Sequence, residues 1–262
     1  MTISLTQVDA FTDAAFGGNP EAVCALPEAR PDRWMQQVAQ EMNLSETAFF
    51  YPEGVGYRLR WFTPTVEVDL CGHATLATCH VLWSEGHLSN EQPATFHTRS
   101  GVLTARRLGD WIELNFPATP SHPIAEPDGL AEALGAPPQA VVENSLGYLV
   151  ELESAAAVRD LRPDFVALGQ FPVHGVIVTS RGEAPYDFVS RFFAPALGIN
   201  EDPVTGAAHC CLSPYWHEKL GKTTFLAHQS SARGGIVKVQ DEGDRIRLSG
   251  QAVTVFKGDL LP

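Results

Sequence analysis

The chain has 262 residues, 44% of them hydrophobic, with 18 Lys and Arg against 31 Asp and Glu, a net charge of −13. This charge disfavours nucleic acid and anionic membrane surfaces as partners, and the length suits one large domain or two of about 130 residues. The five cysteines (24, 71, 79, 210 and 211) lack the paired spacing of a disulfide framework or a zinc site. No apolar run approaches the roughly 18 residues of a membrane span and no basic-then-apolar leader opens the chain, so a cytoplasmic location is expected.

In chain order, residues 3–11 read as a strand that ends in the turn cluster Gly17-Gly18-Asn19-Pro20, and residues 22–26 as a short apolar strand. Pro31 and Asp32 open a helix with Trp34, Val38 and Met42 on one face. Residues 47–50 and 57–62 return to strand. Residues 73–85 form a helix that is apolar nearly all round and is stopped by Gly86, so it must be buried on every side. Strands follow near 94–99, 101–107 and 111–116. The proline-rich stretch 117–127 is the linker candidate, separating an N-terminal lobe (1–118) from a C-terminal lobe (119–262) whose last strand can return to the first.

Beyond it, helices are expected near 128–135 and 163–169 and strands near 147–152, 174–180 and 186–193. A second buried helix covers 205–220 and closes at Gly221, with a kink or break expected at Pro214. Strands near 235–239, 244–249 and 252–257 finish the chain. Each half is many strands around one apolar helix, an α+β pattern of two pseudo-symmetric lobes, and no Gly-rich dinucleotide fingerprint follows any strand.

The halves echo one another. Arg60, Phe62 and Pro64 recur as Arg191, Phe193 and Pro195 at an offset of 131, half of the 262 residues; Ala77 and Cys79 meet Ala208 and Cys210, and Cys71 meets Asp202. Arg30-Pro31-Asp32 recurs as Arg162-Pro163-Asp164 at an offset of 132. Two lobes that each offer an acid or base to a shared cleft describe a proton-transfer enzyme.

The candidate chemistry lies at the two helix starts. Cys71-Gly72-His73 sits where a strand gives way to a buried helix, whose first N–H groups and dipole favour an anion. That field is expected to lower the pKa of Cys71 and make it a base, the other reading being a small buried residue at a turn. It should also disfavour the cationic form of His73, which either relays a proton or bonds nearby backbone. Asp202 followed by Pro203 has the form of a helix N-cap with proline at N1, a role compatible with acid–base work. Glu46 enters an apolar strand, either solvated at its end or turned into the cleft. Asn19 is a turn residue or a substrate ligand. His80, His209 and His217 are assigned to packing, and no spacing suggests a metal site.

These motifs together resemble the PhzF-like (phenazine biosynthesis-like) family of the diaminopimelate epimerase-like superfamily. The resemblance runs through Val8-Asp9-Ala10-Phe11-Thr12 with Gly17-Gly18-Asn19-Pro20, Leu44-Ser45-Glu46-Thr47-Ala48-Phe49, Phe62-Thr63-Pro64 with Cys71-Gly72-His73-Ala74-Thr75, and Glu201-Asp202-Pro203-Val204-Thr205-Gly206. It implies two lobes, each a mostly antiparallel β-barrel around a central helix, an active site between them, and a homodimer. In the phenazine-making members a glutamate moves a proton within a dihydro-hydroxyanthranilate ring without metal or organic cofactor, and Glu46 matches that glutamate. His73 and Asp202 match the other polar site positions. Asn19, Ser45, Gly72, Ala74, Thr205, Gly206 and Ala207 match substrate-binding positions. Related epimerases and racemases carry a cysteine at each helix start, where this chain has Cys71 and Asp202, so a symmetric two-thiol racemase is disfavoured. The leading expectation is a cofactor-independent isomerase of a small carboxylate-bearing molecule, with Glu46 transferring the proton. The alternatives are an amino-acid epimerase or racemase using Cys71 and Asp202, and a non-catalytic small-molecule binding protein.

Overall fold

The structure, a computed structural model, describes residues 2–261. Two compact units make up the chain: Met1–Asn115 with Ser249–Pro262, and Phe116–Leu248. Elements in the first unit run β1 (Ile3–Ala10), β2 (Asn19–Ala25), α1 (Asp32–Met42), β3 (Thr47–Glu53), β4 (Gly56–Phe62), β5 (Glu67–Val68), α2 (Gly72–Ser84), β6 (Ala94–Thr98), β7 (Gly101–Leu108) and β8 (Trp111–Pro117). The second continues with β9 (His122–Pro123), α3 (Leu130–Leu134), β10 (Ala140–Asn144), β11 (Gly147–Glu151), α4 (Ala155–Asp160), α5 (Phe165–Leu168), β12 (Gly175–Arg181) and β13 (Phe188–Ala194). After a 3₁₀ turn come β14 (Ile199–Asp202), α6 (Gly206–Leu220), β15 (Thr224–Gln229), β16 (Gly235–Asp241) and β17 (Arg245–Gly250), and β18 (Ala252–Leu260) ends the chain in the first unit.

Both units use one pairing series. In the first, β1–β2 is antiparallel, β2–β3 parallel, β3–β4 and β4–β5 antiparallel, β4–β6 parallel and β6–β7 antiparallel. The second repeats it as β10–β11, β11–β12, β12–β13, β13–β14, β13–β15 and β15–β16. β18 pairs antiparallel with β1. Each unit is thus a mostly antiparallel sheet around one helix, α2 or α6, buried on almost every side as its all-round apolar sequence requires.

The shared salt bridge makes the repeat physical. Arg60 grips Glu67 with Nε and Nη2 at 2.7 and 2.6 Å and stacks over Phe62, and Arg191 grips Glu201 with Nε and Nη2 at 2.7 and 2.9 Å and stacks over Phe193. The register nevertheless shifts between strand and helix. The offset is 131 at the arginines, but Glu67 to Glu201 and Gly72 to Gly206 are both 134, because the 3₁₀ turn Pro195–Leu197 lengthens the second copy. Cys71 therefore corresponds to Thr205, not to Asp202 as the constant offset implied. Thr75 Oγ1 bonds the Cys71 carbonyl and His209 Nδ1 the Thr205 carbonyl, each four residues back, which fixes the correspondence. The matches of Ala77 with Ala208 and Cys79 with Cys210 are coincidences of composition.

Pro214 does not break α6, which runs unbroken to Leu220. The carbonyl that proline deprives of its partner is that of Cys210, and the Thr119 N–H takes it at 3.0 Å, so the backbone acceptor stays satisfied. In the first unit Gly250 allows a close approach that a side chain would block. A Cβ there would lie 2.4 Å from Phe11 Cδ1 and 2.8 Å from Leu76 Cδ1, both fully buried. Gly250→Ala is expected to cost about 1–3 kcal/mol by overpacking, read as a lower denaturation midpoint.

Candidate active site

Strand parity decides which side chains of the first unit face α2. Ala22, Cys24 and Phe49 turn outward into a core with Met35 and Ala39 of α1. Alternate residues therefore turn the other way: Glu21 on β2 and, one residue ahead of β3, Glu46. α2 packs against β1, β2 and β3 and delivers Cys71 as its N-cap and His73 in its first turn.

Three of the expected residues meet there. His73 Nε2 lies 3.0 Å from Glu46 Oε2, and Cys71 Sγ lies 3.6 and 3.7 Å from Nδ1 and Nε2 of the same ring. A fourth group, missed in the sequence, joins them: Glu21 Oε2 is 3.4 Å from the same Nε2. Neither carboxyl is aligned for a hydrogen bond, since Glu46 Oε2 and both Glu21 oxygens are buried without a hydrogen-bond partner. The open acceptor on Glu46, the carboxyl of the two that keeps some exposure, is set up for the donor of a ligand. Asn19 is fully buried at the start of β2, Ser45 is half-buried ahead of Glu46, and Gly72 and Ala74 lie in the first turn of α2.

The electrostatics overturn two expectations. Burial pushes the Cys71 thiol up to about 12, so it is not a pre-ionised base. Burial would also push His73 down, yet Cys71, Glu46 and Glu21 outweigh it and hold its pKa well above the usual imidazole range. Glu21 is raised from 4.5 to about 8, by burial above all, with His73 opposing. Between those two values the unfolded chain has released a proton that the folded chain keeps, so stability falls as pH rises through the window and levels off above about 8. His73, also raised, contributes in the same direction. In Glu21→Gln the advantage over wild type should grow by about 1.4 kcal/mol per pH unit through that window and then stop growing. Urea melts from pH 5 to 9 check this, and a gap independent of pH would refute it.

Ligand atoms of Glu46, Cys71 and His73 lie within 4.8 Å of one another, a donor set seen in metal sites. The ring geometry speaks against a shared ion. Because Sγ is equidistant from the two nitrogens, an ion about 2.1 Å out along the Nε2 lone pair would be more than about 3 Å from Sγ, beyond the roughly 2.3 Å of a zinc–thiolate bond. None of the three is therefore assigned as a metal ligand. A separate cavity of about 440 Å³ in this unit, lined by His80, Trp83, Asn90 and Arg107 among others, includes none of the cluster. Its principal polar groups are partnered: His80 with Thr254, Trp83 with the Gln92 carbonyl, and Arg107 with Asn90.

In the second unit Asp202 is not the helix cap. It ends β14, three residues before the N-cap Thr205, and its Oδ2 accepts from Thr205 Oγ1 at 2.5 Å. Gln229, a residue the sequence did not single out, locks the turn: its Nε2 donates to the Asp202 carbonyl and its Oε1 accepts from the Thr205 N–H, both at 2.8 Å. Gly206 and Ala207 follow in the first turn of α6. His209 belongs to the core as expected, fully buried and pushed down to about 4 by burial, whereas His217 is half-exposed and pairs with Asp241 at 3.2 Å. No described helix is long and apolar enough to cross a membrane.

The same chain architecture recurs among known proteins. An uncharacterized isomerase of Halalkalibacterium halodurans is 56% identical over 100% of this chain and 99% of its own. The crystal structure of a PhzF-family phenazine biosynthesis protein from Enterococcus faecalis is 40% identical, with a TM-score of 0.96 and 100% of both chains covered. At the level of fold alone, a probable proline racemase from Agrobacterium radiobacter superposes with a TM-score of 0.68 at 10% identity, over 99% of this chain and 93% of that one. The α+β architecture is that of the diaminopimelate epimerase-like fold. With residues 8–258 matching the profile described as phenazine biosynthesis-like protein, the chain belongs to that family.

Proposed function

We propose that the protein is an isomerase of a small carboxylate-bearing molecule, in which Glu46 takes a proton from one carbon and returns it to another. The carrying observation is Glu46 Oε2 itself: buried, without a hydrogen-bond partner, and 3.0 Å from the ring nitrogen of His73. An acceptor of that kind is a base with nothing else to do, and the raised imidazole beside it supplies an N–H to stabilise charge that develops on the substrate. The central helix α2 starts with an N-cap whose side chain does not cap, which suits its first N–H groups to a substrate carboxylate. Relatives in Halalkalibacterium halodurans and Pseudomonas aeruginosa are named isomerases, which supports the reaction class.

The epimerase reading loses ground on the thiol. With Cys71 pushed up to about 12 and Asp202 off the helix start, there is no matched pair of acids at equivalent positions. The test is NMR in D₂O with dihydro-hydroxyanthranilate and a panel of amino acids, comparing wild type, Glu46→Gln and Cys71→Ala. Ring isomerisation or deuterium uptake lost only in Glu46→Gln supports the proposal. Amino-acid α-deuteration lost in Cys71→Ala would replace it with the epimerase, and binding without exchange would replace it with a ligand-binding role.

A further inference from the structure

Glu21 has no part in the chemistry above, yet nothing about it suits a packing residue. It is fully buried in β2, and both of its carboxyl oxygens lack a hydrogen-bond partner. Burying such a group costs stability, and an apolar side chain in its place would not. Parity turns it toward α2, where its Oε2 comes to 3.4 Å from His73 Nε2. That nitrogen is already 3.0 Å from Glu46 Oε2. One ring nitrogen therefore faces two carboxyls, and a ring nitrogen has one proton to give.

We infer that Glu21 is a positioning residue that acts through His73: as an uncharged acid it leaves the Nε2–H available on the Glu46 side, where charge develops on the substrate, and as a carboxylate it draws that hydrogen away. The inference rests on the proposed role of Glu46. The titratable groups facing Glu21 are His73 and Cys71 at the start of α2 and Glu46 ahead of β3; Cys24, on its own strand, points the other way but feels its charge. Both cysteines are pushed up by burial, Cys71 to about 12, so neither ionises before Glu21 does. Ionisation of Glu21, near pH 8, then changes the partner of the imidazole without touching the substrate. Glu21→Gln, uncharged at every pH and of the same shape, mimics the acid form.

The test reads the free protein, so it does not depend on a substrate. With ¹⁵N-labelled histidine and carboxyl-¹³C-labelled glutamate in wild type, one buried carboxyl should titrate near pH 8 and the His73 Nε2 signal should move in step with it. In Glu21→Gln that inflection should disappear, while the Nε2–H persists from pH 7 to 9. Where a substrate is in hand, Glu21→Gln should keep activity within about threefold of wild type at pH 7. It should also lack the wild-type decline of about tenfold per pH unit above 8. If Nε2 shows no inflection tied to a carboxyl, or if the inflection survives in Glu21→Gln, the inference is wrong. The wild-type titration stands by itself should the variant not fold. Failure of the Glu46 reading would show separately, as isomerase activity that survives Glu46→Gln.

Discussion

Glu46→Gln should lower the rate of proton transfer by about 10²–10⁴-fold, the range that a positioned general base supplies. Glutamine keeps the length and shape of the side chain but cannot take a proton from carbon. Little stability should be lost with it, because Oε2 makes no hydrogen bond in the folded chain and the residue keeps a partly exposed edge. The loss should fall on kcat and kcat/KM together, since a base acts in the transition state and not in binding. His73 should respond as well. With one of the charges that raise it removed, its pKa moves down toward the ordinary value, which ¹⁵N NMR reads independently of turnover. Exchange rates within a few-fold of wild type would remove Glu46 as the base.

How far the sequence reaches is clearest around this residue. Glu46, Cys71 and His73 were legible because each stands at a junction between elements, where motif and spacing are local. Glu21 was hidden by its neighbour: Pro20 set the expected strand start at Ala22, since proline is rare inside sheets. The strand in fact begins at Asn19, and β3 joins it only from Ala22, so at Pro20 no ladder bond to β3 is missing. That moves Glu21 from a loop to the interior.

Magnitude, not direction, misled the reading of Cys71. A helix start favours a thiolate by about 0.3–1 kcal/mol, whereas a rise from 9.0 to about 12 corresponds to about 4 kcal/mol, so burial wins. The pairing of Cys71 with Asp202 failed because a constant offset cannot see three residues inserted between strand and helix. β15 escaped because its inward positions, Phe225, Ala227 and Gln229, end in a polar residue whose partners, Asp202 and Thr205, are far away in sequence. α4 carried a readable signal, Ser154 ahead of three alanines, and the structure shows Ser154 Oγ capping the Ala157 N–H at 3.1 Å.

The largest effect on stability is expected at Arg191, and the repeat supplies its own control. The Arg191 side chain is 9% exposed and that of Glu201 19%. Its Nη1 also serves the carbonyls of Val158 and Leu161 at 3.3 and 2.9 Å, tying α4 and the chain beyond it to β13. Arg191→Leu would leave a mostly buried carboxylate and those carbonyls without their donor. Breaking a buried pair from one side costs about 3–5 kcal/mol. For a chain of this size that is a melting temperature lower by about 6–20 °C. Arg60→Leu should cost clearly less, although Glu67 is even more buried at 8%, because Arg99 Nη2 remains 2.5 Å from Glu67 and the third partner of Arg60, Asp32, is exposed. Calorimetry on the two variants decides it: an equal loss in both would mean that the carbonyl contacts add nothing, and a larger loss in Arg60→Leu would mean that Arg99 cannot replace the missing fork. The expected inequality also fits the way each copy is built, with the first holding its arginine against side chains and the second against backbone, so that only in the second does one residue carry the junction between strand and helix.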